Sequence, residues 1–192
     1  MARRPREFVE GIYHVACQAS DTRFLFLDDL DREIFLDALA AICDRYELGL
    51  VTYTLMGNHY HVIVSIPDAR LSSALQRLHT WYSRRHNKRR EREAHLFRAH
   101  FFARLISSDE DLLWACRYVA RNPVEAVAGL ASHPLAWPWS GARANADLQR
   151  PRIPLDDEPI RAALDGGPDW RARYAEFLET ADELAANVSQ PG

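Results

Sequence analysis

His59 and His61 are the residues whose type and spacing most directly offer chemistry. They lie in the run Tyr53–Thr–Leu–Met–Gly–Asn–His–Tyr–His–Val–Ile–Val64, whose β-branched, aromatic and aliphatic residues mark extended chain. Side chains two apart on a strand share a face, so the two imidazoles project together while Tyr60 points the other way, into a core. Two imidazoles side by side on a rigid backbone are half of a metal site. The same pair also suits two partly buried, hydrogen-bonded histidines, and the tripeptide alone leaves both readings open. A second constellation lies in Tyr118–Val–Ala–Arg–Asn122. Helical residues four apart stack on one face, so a phenol and a carboxamide would stand one turn apart. Tyr118 has six other tyrosines as rivals, but only it is followed by Asn–Pro one turn later. Asn122 also stands where a helix C-cap belongs.

The elements that must position these groups follow from periodicity. Gly11–Ile–Tyr–His–Val–Ala–Cys17 reads as a first strand. A helix follows from the cap candidates Asp28–Asp–Leu–Asp31 to about Tyr46, with Ile34, Phe35, Ala38, Leu39 and Ile42 on one face and Gly49 placed to stop it. Leu50–Met56 and Tyr60–Ile66 read as strands joined by a Gly57–Asn58 hairpin turn. A helix over about 71–85 follows, then a basic loop, a fourth strand at 101–106, and a helix opened by the capping pattern Ser107–Ser–Asp–Glu110 and ended by Pro123. This order is α+β and ferredoxin-like (βαββαβ): a four-stranded antiparallel sheet with helices on one face, plus a C-terminal helical extension. Strands one and three are then central, which puts both histidines mid-sheet. Residues 1–145 read as the principal domain. Residues 146–192 read as an acidic, irregular extension with a short helix near Trp170–Leu178, and Trp137 and Trp139 as covers for the core.

Composition sets the remaining bounds. With 192 residues, 47% of them hydrophobic and 27% charged, the chain has the make-up of a globular protein able to bury a full core. No apolar stretch reaches the roughly 18–20 residues that span a bilayer. The basic start Met1–Ala–Arg–Arg–Pro–Arg6 lacks the apolar region of a signal peptide. Cys17, Cys43 and Cys116 are odd in number and widely spaced, which points to a reducing, cytoplasmic setting. The net charge of −3 hides a dipolar distribution. Residues 70–104 hold ten Lys/Arg against two acids, and residues 147–192 hold ten acids against five arginines. A basic middle segment suggests a local polyanion site. Within it Trp81, Arg84, Arg85, Lys88, Arg89 and Arg90 pair a stacking surface with phosphate-binding cations.

Taken in order, Tyr13–His–Val15, Leu55–Met–Gly–Asn–His–Tyr–His–Val62, His95–Leu–Phe97 and Tyr118–Val–Ala–Arg–Asn–Pro–Val124 resemble the REP-associated tyrosine transposases, a branch of the single-tyrosine HUH (His–hydrophobic–His) transposases. The resemblance runs from about Gly11 to Trp139. Gly57 departs from it where proline is usual, and Ala94 where glycine is common. It implies a divalent metal, Mg²⁺ or Mn²⁺, on His59, His61 and Asn122, with Tyr118 as the nucleophile that forms a 5′-phosphotyrosine. It further implies single-stranded DNA carrying hairpins as the partner, gripped by Arg84, Arg85, Lys88, Arg89, Arg90 and Trp81. Relatives work as monomers or as homodimers that exchange the tyrosine helix, and the long tail after Tyr118 favours a monomer. His14 is left out of the metal set, as either a packed histidine or a partner to His61. The competing readings are a replication initiator or relaxase of the wider HUH group, a catalytically silent nucleic-acid-binding module on the same sheet, and a zinc hydrolase built on the two histidines.

Overall fold

The computed structural model describes residues 7–20, 24–93 and 95–180, so the basic run at 1–6, Ala94 and the end of the acidic tail lie outside the described residues. Strand β1 (Gly11–Gln18) leads to helix α1 (Asp29–Tyr46), strands β2 (Gly49–Leu55) and β3 (His59–Ile66), helix α2 (Leu71–Arg89), strand β4 (Phe102–Ile106) and helix α3 (Asp109–Glu125). A 3₁₀ turn (Pro134–Ala136) and helices α4 (Ala142–Asn145), α5 (Glu158–Ala163) and α6 (Trp170–Glu179) follow among the described residues. The sheet is antiparallel with order β2-β3-β1-β4, so β1 and β3 are central, as the ferredoxin-like order requires.

Alternation along the strands sorts the molecule into two layers. Tyr60, Val62, Val64 and Ile66 of β3 join Tyr13, Val15 and Cys17 of β1 in a core covered by α1 and α2. Its centre is aromatic: the Phe35 ring lies 4.9 Å from Tyr60, 5.2 Å from Tyr82 and 5.3 Å from Phe26. Such pairs contribute about 0.5–1.5 kcal/mol each beyond the area they bury. The opposite face of β3, carrying His59, His61 and Ile63, turns to α3. The two helices of the βαββαβ unit, α1 and α2, share one face as expected, and α3, which follows that unit, takes the other. Leu112, Ala115, Cys116, Val119 and Ala120 recur every three to four residues along α3 and pack on Val51 and Ile63 of the sheet.

The C-terminal segment is built into this second layer. Ile160, Trp170, Tyr174 and Leu178 share one hydrophobic core with α3. Arg117, buried on α3, lies 5.1 Å from the Trp114 ring and 5.3 Å from the Phe177 ring, and donates to the Thr180 carbonyl. The open edge of β2 is closed by the same segment: Leu55 N–H donates to Trp139 O (2.9 Å), Gly141 N–H to Tyr53 O (2.9 Å) and Asp156 N–H to Leu50 O (2.7 Å). Trp139 is buried, as expected for a core cover.

Local signals differ from expectation at four places. Helix α1 is stopped by Glu47 in the left-handed region (φ 56°), while Gly49 opens β2, where a Cβ would press on the side chains of Ser65 and Asp156. Gly57–Asn58 does close the β2–β3 hairpin, Met56 N–H donating to His59 O (2.9 Å), but it does so without the positive φ of the favoured hairpin turns. Gly57 instead leaves room for the Phe24 ring, whose atoms lie 3.1 and 3.2 Å from where its Cβ would stand. Helix α2 runs one turn beyond 85, so the basic loop is largely helix. In α3 the cap is Ser108, whose hydroxyl accepts from Asp111 N–H, and Pro123 lies inside the helix rather than ending it.

Candidate active site

The paired strands bring His59 and His61 to the α3 side of the sheet, with His59 opposite Gln18 and His61 opposite Ala16. Above them α3 presents Tyr118 and Asn122, one turn apart. The Tyr118 ring stands edge-on to His61, with centroids 5.5 Å apart, and the side chain is 43% exposed, so the phenol can meet a solvent-borne substrate. Asn122 donates through Nδ2 to the Tyr118 carbonyl (2.9 Å), which turns Oδ1 toward the histidines, 3.4 Å from His59 Nε2.

The hydrogen bonds select the ring nitrogens that are left over. His59 Nδ1 lies 2.8 Å from Asn58 Oδ1, an acceptor, so Nδ1 carries the proton and Nε2 keeps its lone pair. His59 Nε2 and Asn122 Oδ1 then face one another as two acceptors, an arrangement that a cation reconciles. Burial lowers the His59 pKa, with the Asn122 contact opposing it. Burial pushes His61 well below the ordinary imidazole value, helped by the nearby His14 and His59, again with Asn122 opposing. Both rings are therefore neutral near pH 7, the form that ligates metal. Among the described residues, no group of three His, Cys, Asp or Glu is placed to hold a metal ion. The fitting donor set is two imidazoles and an amide oxygen.

His14 belongs beside this set although sequence reasoning set it aside. It sits opposite Ile63 on β1, diagonal to His61, and its Nε2 lies 3.0 Å from His61 Nδ1. Its ring also meets Tyr118 (5.7 Å) and Phe102 (5.5 Å) edge-on. Burial, then Arg104, lowers its pKa to about 4, with Asp111 acting the other way. A signal for this existed in the i, j±2 neighbourhood of antiparallel strands, but it needed the register.

The basic residues predicted for DNA divide. Trp81, Arg84, Arg85 and Lys88 are exposed on α2, with the Arg85 guanidinium 5.0 Å from the Trp81 ring. That helix packs on the sheet face away from α3, so this stripe and Tyr118 lie on opposite sides of the sheet. Arg89 and Arg90 are engaged within the fold: they clamp Asp28 and the buried Asp31 at 2.5–2.9 Å, tying the end of α2 to the start of α1. Those contacts hold Asp28 well below the usual carboxylate range, Arg89 being the chief cause.

Comparison with known proteins gives this geometry a family. The model of the family described as "Transposase IS200 like" matches residues 8–122, more than half of the chain and all four site residues. The chain belongs to the IS200-like transposase family. Members of this family are DNA-processing enzymes, in line with the transposase resemblance in the sequence. A solved REP-associated tyrosine transposase, bound to a REP hairpin, shares the fold at a TM-score of 0.65 and 16% identity, over 82% of this chain and 92% of that one. A putative transposase from Deinococcus radiodurans aligns at a TM-score of 0.43 and 20% identity, over 58% of this chain and 91% of that one. No curated protein matches. Among the described residues no helix is long and apolar enough to cross a membrane.

Proposed function

We propose that this transposase-family protein nicks and rejoins single-stranded DNA through Tyr118, at hairpin-bearing repetitive palindromic elements. The observation that carries the reading is the convergence of Tyr118 and Asn122 from α3 on His59 and His61 from β3. Cleavage forms a bond from the phenolic oxygen to phosphorus and breaks the bond to the 3′ oxygen, which leaves as a 3′-hydroxyl after taking a proton. The phenol proton goes to solvent, to which Tyr118 is open. Because the 5′-phosphotyrosine conserves the phosphodiester energy, a 3′-hydroxyl can later reverse the attack and join strands without a nucleotide cofactor. A divalent ion, Mg²⁺ or Mn²⁺, held by His59, His61 and Asn122 would supply Lewis-acid polarisation of the scissile phosphate. Asn122 orients its oxygen through its bond to the Tyr118 carbonyl, and His14 fixes the ring of His61.

Hairpin recognition is supported by the fold shared with the hairpin-bound relative. The exposed Trp81, Arg84, Arg85 and Lys88 stripe is the surface for DNA away from the cut. The tyrosine, which lies over the histidines of its own chain, is proposed to act in cis, in a monomer. The three cysteines are buried and unpaired, which suits the cytoplasm.

The test is incubation with labelled single-stranded DNA from the flanks of the gene, in Mn²⁺ or Mg²⁺, followed by denaturing electrophoresis. A covalent protein–DNA band is expected from the native protein, and none from Tyr118→Phe or from His59→Ala with His61→Ala. An adduct with Tyr118→Phe would remove the nucleophile assignment. Hairpin binding without any cleavage would favour the silent module.

A further inference from the structure

We infer that a cleft beside the catalytic strands, lined by Ser20, Arg98, Ala99 and His100, seats a phosphodiester of the bound single strand close to the one cut at Tyr118. This rests on the reading of the protein as a single-strand DNA enzyme, and it assigns that enzyme a second contact to the backbone of its substrate.

The cleft has a volume of about 560 Å³. Its place follows from the sheet. Gln18, the last residue of β1, pairs with His59 on one side, and on the other its carbonyl accepts from Arg98 N–H at 3.0 Å. Arg98 is thus two strand spacings from His59, roughly 10 Å across the backbone. The walls are tied down. Ala19 bridges Phe97, Ser20 N–H donates to Leu96 O (2.9 Å), and the Ser20 hydroxyl donates to Phe97 O (2.7 Å). Residues 99–101 then leave the sheet before β4 begins at Phe102.

The chemistry of the lining is that of an anion site. Arg98 and His100 are exposed. On the catalytic side, Arg104 is held by Asp111 (2.8 Å) and Arg121 by Glu125 (2.9 Å). Arg98 makes no ion pair among the described residues, so its planar fork of donors is available to a phosphate. Two residues beyond His100, the Phe102 ring is at the edge of exposure and stands edge-on to His14, as does Tyr118. An unpaired base stacked there would lead the strand from the cleft to the nucleophile.

The test reads binding apart from cleavage. Anisotropy of a labelled single-stranded oligonucleotide from the gene's flank is followed against salt, in EDTA, with Tyr118→Phe as the background. Arg98→Ala should weaken binding several-fold and reduce the log K against log salt slope by about 0.7, the value for one phosphate contact on a single strand. Arg98→Lys should keep the slope, and Arg161→Ala on α5 should change neither quantity. An unaltered slope and affinity in Arg98→Ala, or no binding by the parent, overturns the proposal. If no strand is ever cleaved but the slope still falls in Arg98→Ala, the cleft stands and the cleavage reading fails. If Tyr118-dependent cleavage is found while Arg98→Ala binds like its parent, the cleft alone fails.

Discussion

Replacing His14 tests how the second imidazole of the site is held. His14 Nε2 and His61 Nδ1 are 3.0 Å apart in a buried setting, so one of the two nitrogens must donate. If His61 donates from Nδ1, its Nε2 keeps a lone pair for metal; if His14 donates instead, the proton of neutral His61 moves to Nε2 and blocks ligation. His14→Ala leaves His61 Nδ1 without its partner, a loss of about 1–3 kcal/mol. Removing an outer partner of a ligating histidine typically lowers metal affinity 10–100-fold. At 1.4 kcal/mol per decade that is about 1.4–2.8 kcal/mol, the same range by an independent route. The assay is calorimetric titration of Mn²⁺ at pH 7.5 alongside urea unfolding. His14→Phe refills the space against Tyr118 and Phe102 but lacks the acceptor, so it too is expected to lose metal affinity. Native Mn²⁺ affinity in both variants would refute the argument that this contact sets the tautomer of His61.

Other consequences follow from the core and its ion pairs. His79 Nε2 lies 2.7 Å from the buried Tyr60 hydroxyl, its ring stacks on Phe97 at 4.0 Å, and burial lowers its pKa to about 4. Between pH 6.5 and about 4 the unfolded chain therefore binds a proton that the fold refuses, and stability falls as pH falls, by at most about 3 kcal/mol from this group. Urea midpoints taken across that window should be visibly flatter in His79→Gln, and an equal slope would exclude the group. Asp31→Ala removes the buried anion that Arg89 and Arg90 share, and is expected to destabilise by about 3–5 kcal/mol in chemical denaturation. A change below 1 kcal/mol, on the order of a surface pair, would show that the clamp is not structural.

Much of this protein is legible in the order of its residues. Strand alternation already separates His59 and His61 from Tyr60, and four-residue spacing already stacks Tyr118 and Asn122, because both periods are properties of the backbone alone. The βαββαβ order brings β1 and β3 together by the same logic. Periodicity tells which side of an element is apolar but not which layer that side joins, so the placement of α3 opposite α1 and α2 was decided by tertiary packing. That placement sets the tyrosine over the histidines and puts the Trp81–Lys88 stripe on the other side of the sheet. Charge count could not separate Arg84 and Arg85 from Arg89 and Arg90, since only the fold brings Asp28 and Asp31 to the end of α2. The sequence leaves His14 with two readings, packed histidine or partner to His61, and marks Arg98 only as one basic residue among ten. Strand register sets one against His61 and the other two strands from His59, because a sheet joins residues through hydrogen bonds between segments distant in the chain.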